Sequence, residues 1–331
     1  MDVLVRQILL IPMLIIAFFV DMRDKPQRVF TSSNLEITTS AGSWKKAKDL
    51  PTQRYDFGAA VAGGKLYIVG GLVLSTPWTP TDRVDAYDPV KEEWIHIASY
   101  PRVIHHPGVV SCGDDLYVVG GYWIRVLPSS YVYKYNASSD EWIKRADIPV
   151  GRGALGVTCH EETIYAVGGD SGNANQVTLL HAYDTKKDVW VTKTSMPSAR
   201  EHLSVVTVDG KIYALGGLIK DRFHALNTNE MYDPYTDTWT PRASLPHAIS
   251  GFAAVVKGES IFIFGGANGD TVSPEVYEYK TKEDKWYRRA DMPTARYGLV
   301  AGQMLGNIHV VGGNHVVKGN FFSQDHDIFV P

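Results

Sequence analysis

The sequence predicts an all-β, six-bladed β-propeller, and three observations predict it. Double glycines end strand-like apolar runs at Gly70-Gly71, Gly120-Gly121, Gly168-Gly169, Gly216-Gly217, Gly265-Gly266 and Gly312-Gly313. Trp44, Trp94, Trp142, Trp190, Trp239 and Trp286 each lie 26 residues before one of those pairs. Tyr87, Tyr135, Tyr183, Tyr232 and Tyr279 each precede a tryptophan by seven residues. Self-similarity at a period of ~50 residues marks a repeat architecture, and four short strands per period describe a propeller blade.

Composition agrees and excludes other classes. The 331 residues are 44% hydrophobic and 21% charged, which rules out a disordered or collagen-like chain. Thirty glycines and 11% aromatics suit many turns between packed strands. A net charge of −3 gives no generally basic surface, so nucleic acid is not an expected partner. Two cysteines, Cys112 and Cys159, exclude a disulfide-dense scaffold and a multi-cysteine zinc site.

Residues 1–30 stand apart. The stretch 8–20 is uninterruptedly apolar, with Arg6 before it and Asp21, Arg23, Asp24 and Lys25 after it. At ~1.5 Å per residue it falls short of a ~30 Å hydrocarbon core, so it reads as a signal peptide. Counted from Val3, it reads instead as an uncleaved signal-anchor with Arg6 snorkelling, a membrane tether through residues 8–20. Either reading makes the protein secreted or extracytoplasmic. Asn136-Ala-Ser138 is a glycosylation triplet that adds little.

The propeller is assigned to residues 31–331. In blade one the strands are GAAVA, KLYIVGG, VDAYDP and EEWIHI, with Gly63-Gly64 and Asp88-Pro89 in the turns. The glycine pair allows positive φ and close approach of the neighbouring blade. Tryptophan and tyrosine supply buried area between adjacent sheets. Gly58, Ala59 and Ala60 suit an inner strand crowded against the axis. The last repeat has GLVAGQ, NIHVVGG and DIFVP but no tryptophan strand. SWKKAK, around Trp44, is therefore expected to complete that blade, removing an exposed edge. Residues 35–38 and 327–330 are expected either to compete for its third-strand slot or to stack.

These motifs resemble the kelch repeat. YIVGG, VDAYDP and EEW in blade one, and YALGG, NEMYDP and DTW in blade four, carry the likeness, which runs over residues 34–331. The resemblance implies the fold more than the function, because one propeller hosts many roles.

In an up-and-down blade, the loops joining second to third strands emerge on the same face as the crossovers between blades. All length variation sits in those loops, so function is expected on that face. Sixteen residues before the glycine pairs stand Arg54, Ile104, Arg152, Arg200, Ile249 and Arg296. Two residues further come Asp56, His106, Ala154, His202, Gly251 and Gly298. Arg102 and His247 stand two residues earlier in the blades that lack the arginine. The expectation is a basic rim around the channel. The resemblance to kelch propellers that bind acidic peptides implies ligand contact by Arg54, Arg152, Arg200 and Arg296, with Arg102, His106 and His202 beside them. The competing role for these arginines is to satisfy backbone carbonyls or a nearby carboxylate. Trp78 and Trp123, with Tyr122, Phe223, Phe321 and Phe322, read as interface anchors, as sugar-stacking platforms or as rings folded back on the blades.

The expected function is a binding module for an anionic or extended partner, a protein, a peptide or an acidic carbohydrate. The alternative is an extracytoplasmic sugar-acid enzyme such as a sialic-acid mutarotase, with Asp56, Glu201, His106 and His202 moving protons. No catalytic set, cofactor or metal is expected. Gly169-Asp170-Ser171-Gly172 lacks the strained elbow of a nucleophile motif. His105 and His106 are expected to point to opposite faces of a strand and not to chelate together. His160-Glu161-Glu162 falls in a hairpin turn, and Cys112 and Cys159 read as buried core thiols, with a mutual disulfide as the alternative.

Overall fold

A computed structural model describes residues 41–73, 79–124, 127–172, 175–219, 224–317, 319 and 321–331. The stretch 8–20, residues 35–38, Trp78 and Phe223 lie outside them. Among the described residues no helix is long and apolar enough to cross a membrane.

Six four-stranded antiparallel sheets are present among the described residues. The first is Gly58–Ala62, Lys65–Val69, Val84–Asp88 and Glu93–His96, paired in that order. Four more repeat the pattern, with inner strands Gly108–Cys112, Gly156–His160, Ser204–Val208 and Ala253–Lys257. The last sheet combines Val300–Met304, Asn307–Val311 and His326–Val330 with Ser43–Lys46 from the start of the chain. Trp44 pairs with Phe329, so residues 327–330 take the contested third-strand slot. The inner strands touch in cyclic order, each packed on the next and the last on the first. Six apolar clusters fill the spaces between successive sheets.

Three sets of hydrogen bonds close the ring. Each repeat-tryptophan indole N–H donates to a carbonyl of the preceding blade at 2.8–3.1 Å, ending with Trp44 on Ala290. Each second glycine of a pair donates its N–H to the next blade's crossover at 2.8–3.2 Å, from Gly71 to Ile104 round to Gly313 to Arg54. This is why the pair must be glycine. A Cβ on Gly70 would lie 2.4 Å from the Ile104 carbonyl oxygen, and both residues have positive φ. The third set lies at the channel mouth. Asp56 donates to Gly298, His106 to Asp56, Ala154 to His106, His202 to Ala154, Gly251 to His202 and Gly298 to Gly251, at 2.7–3.1 Å.

One expectation is corrected. Cys112 and Cys159 are not free thiols but a disulfide, with Cα atoms 5.5 Å apart. They sit on the inner strands of neighbouring blades, one repeat apart, where those strands converge on the axis.

Candidate functional site

The four rung arginines are not exposed on a rim. Arg54, Arg152, Arg200 and Arg296 are each 0% exposed. Each guanidinium turns inward, into its own blade. Arg54 donates to the Gly70 and Arg83 carbonyls and ion-pairs with Asp85. Arg296 repeats this with Gly312, Asp325 and Asp327, the last at 2.6 Å. Arg200 meets Glu230 at 2.5 Å and the Ala214 carbonyl at 3.0 Å. Arg152 donates to the Gly168 and Leu179 carbonyls and to Nδ1 of His181 at 3.0 Å. The reason is geometric. The carbonyls beside the glycine pair face into the blade, and the guanidinium fork matches two of them at once. Burial lowers Arg54 and Arg152 to about 10. Burial beside the Arg152 charge lowers His181 to about 4, so it accepts as a neutral ring.

The partners were missed from sequence, although a signal existed. Asp85, His181, Glu230 and Asp327 all stand two residues before the third-strand aromatic. In the blades where the rung is Ile104 or Ile249, that position is Tyr133 or Tyr277. Arginine goes with a polar acceptor and isoleucine with tyrosine.

The next rung does face the channel. Asp56, His106, Ala154, His202, Gly251 and Gly298 line a cavity of about 100 Å³ at the mouth. All six have φ between 50° and 62°. That left-handed backbone corrects the expectation for His105 and His106. The chain is not extended there, the two rings lie on the same side, and their Nδ1 atoms are 2.6 Å apart. His106 Nε2 lies 3.1 Å from Asp56 Oδ2, and the rings of His106 and His202 meet edge to face at 4.8 Å. Donor atoms of Asp56, His106 and His202 all fall within 4.8 Å of one another. Burial pushes the Asp56 carboxyl up to about 6, opposed by His202 and His105.

Behind this cluster lies a second polar layer. The Tyr122 hydroxyl oxygen lies 3.1 Å from Asp170 Oδ2 and 3.4 Å from Glu201 Oε2, with one proton to share between the two carboxylates, all three residues buried. Glu201 Oε1 is 3.8 Å from His202 Nδ1. Tyr122 fits because Gly153 has no Cβ, which would lie 2.3 Å from its ring. Asp170 of the Gly169–Gly172 tetrapeptide is thus a structural acceptor, and Ser171 Oγ donates to the Asn175 carbonyl.

The remaining predicted residues diverge. Arg102 is exposed and lies over Trp123 at 5.5 Å and Tyr131 at 4.9 Å. Lys144 lies over Tyr131 and Tyr133. Ile124 and Leu127, at 47% and 53% exposed, flank Trp123. Phe321 is 63% exposed, whereas Phe322 folds back onto Tyr55 and Leu72. His247 sits beside Glu275 at 3.3 Å.

Comparisons follow the repeat pattern. A family model described as the KLHDC2/KLHL20/DRC7 Kelch-repeats domain matches residues 105–313, more than half of the chain. The Kelch motif matches residues 53–99. The Kelch-like protein terF of Aspergillus terreus is 34% identical over 84 residues, 24% of this chain and 18% of that protein. Kelch-like protein 26 of Danio rerio is 34% identical over 83 residues, 25% of this chain and 13% of that protein. Kelch repeat protein M-T8 of Myxoma virus is 37% identical over 84 residues, 25% of this chain and 16% of that protein. The matched stretches thus span under a fifth of each of these relatives. The solved structure described as "Structure of YjhT" superposes with a TM-score of 0.74 at 16% identity, covering 85% of this chain and 95% of that one, a likeness of fold. The chain belongs to the kelch-repeat family.

Proposed function

We propose that the protein is an extracytoplasmic binding module that holds an anionic or extended protein segment on its crossover face, with blade two as the contact. The carrying observation is the ladder Trp123, Arg102, Tyr131, Lys144, Tyr133, in which aromatic rings and cations alternate. Exposed Val103, Ile124 and Leu127 border it. Among the described residues Arg102 has no ion pair, so its charge is available to a carboxylate. Tryptophan, tyrosine and arginine are the residues that concentrate binding energy at interfaces. Kelch-family membership is consistent with an interaction module. The apolar stretch 8–20 and the Cys112–Cys159 disulfide support an oxidising, extracytoplasmic location.

The sugar-acid enzyme reading is weakened by the fate of the arginines. A sugar-acid substrate needs cationic groups for its carboxylate, and the heads of the four rung arginines are consumed inside the blades. The test places a photo-crosslinking amino acid at Leu127 on the crossover face or at Gly113 in a hairpin of the opposite face. Adducts with one defined protein from Leu127 only, lost in Arg102→Ala/Trp123→Ala, are expected. Equal labelling from Gly113, or labelling indifferent to that double substitution, contradicts the reading.

A further inference from the structure

We propose that Asp56, His106 and His202 bind one divalent transition-metal ion of the zinc class at the mouth of the channel. The three side chains come from blades one, two and four and converge on one point, within 4.8 Å of each other. Zinc bonds of ~2.0–2.2 Å put neighbouring tetrahedral ligands ~3.3–3.6 Å apart. The 3.1 Å between His106 Nε2 and Asp56 Oδ2 is already close to that separation. Two imidazoles with one carboxylate suit zinc, cobalt, nickel or copper, not the all-oxygen preference of calcium and magnesium.

The surroundings match what such a site needs. The three residues occupy one rung of a closed ring of backbone hydrogen bonds, so their Cα positions are fixed by the whole propeller. The other three rung positions are Ala154, Gly251 and Gly298, which keep the centre open. A Cβ on Gly298 would lie 2.6 Å from Asp56 Oδ1, so glycine there leaves the carboxylate its place. A second layer stands behind the imidazoles, with His105 against His106 and Glu201 beside His202. A carboxylate placed as Glu201 is, beside the Nδ1 of His202, is the kind of group that orients a metal-bound histidine. Three protein donors leave a coordination position facing the cavity, open to water or to an acidic group of a ligand. This proposal is independent of the blade-two surface.

The test uses tag-free full-length protein stripped with a chelator and titrated with Zn²⁺ against a chromophoric competitor. One ion per chain is expected, with binding lost in His106→Ala and in His202→Ala and retained in His224→Ala, an exposed control. Binding that survives both channel substitutions, or no binding by the wild type, overturns the site. A readout without substitutions runs beside it. Zn²⁺ is expected to shift the ring-nitrogen NMR signals of His106 and His202 together at one equivalent, and their constancy at saturation overturns the proposal.

Discussion

The buried arginines show how a charge can build a fold. Each rung residue accepts an N–H from the previous blade at its own carbonyl. In the four arginine blades its guanidinium also holds the carbonyl-lined end of its own blade. Removing one member of such a pair leaves a buried charge uncompensated, at about 3–5 kcal/mol. Replacing both members by apolar groups is often neutral. Blades two and five carry that replacement already, as Ile104 with Tyr133 and Ile249 with Tyr277. We therefore expect Arg200→Met to lose about 3–5 kcal/mol in urea unfolding, because it strands Glu230. Arg200→Ile/Glu230→Tyr is expected to recover most of that loss. A double variant no more stable than Arg200→Met would show that the two pairings are not interchangeable.

The strands of the last blade carry a pH response. His309 stands where the other second strands have Tyr67, Tyr117, Tyr165, Tyr213 or Phe262, and His326 where four third strands have Val84, Val132, Leu180 or Val276. His309 Nδ1 and His326 Nε2 are 2.9 Å apart, and His326 Nδ1 donates to the Lys48 carbonyl at 3.0 Å. Burial lowers His309 to about 4, and burial with the neighbouring His309 lowers His326 to about 3. The unfolded chain protonates near the ordinary 6.5 and the folded chain does not. Their contribution is therefore complete above about pH 6.5 and is withdrawn as pH falls from there towards 4. Asp56, raised to about 6, and Asp327, also raised by burial, act in the opposite sense over part of that window, against these two histidines with His181 and His247, which burial lowers as well. Unfolding free energy is expected to fall by a few kcal/mol between about pH 7 and about pH 4.5. In His309→Tyr/His326→Val the fall should be much smaller, and an equal fall would exclude these histidines as its source.

The strand order was legible because large residues recur at fixed intervals, and regular pairing follows from regular spacing. Trp44 announced the sealing strand for the same reason. The site was less legible. Whether Arg54 faces the channel or its own blade depends on where carbonyls point, which one-dimensional spacing does not carry. The positive φ at His106 is invisible in a residue type that usually takes negative φ. The Cys112–Cys159 bridge had a signal in its one-repeat separation, outweighed by the apolar runs on either side of each cysteine.

For the molecule as a whole, the channel mouth exists only if the ring is shut. Asp56 takes its hydrogen bond from blade one to Gly298 in the last blade, and the wedge holding Gly298 is finished by residues 43–46. A dangling start would leave the edge of 326–330 unpaired and free to template aggregation. It would also loosen the residues that gather Asp56, His106 and His202. Hydrogen–deuterium exchange tests this closure most directly. Amides of 43–46 should exchange as slowly as those of the outer strand Glu141–Arg145, and should lose protection together with 326–330 when Trp44 is changed to Ala. Free exchange of 43–46 beside a protected 326–330 in the unmodified protein would contradict the closed ring.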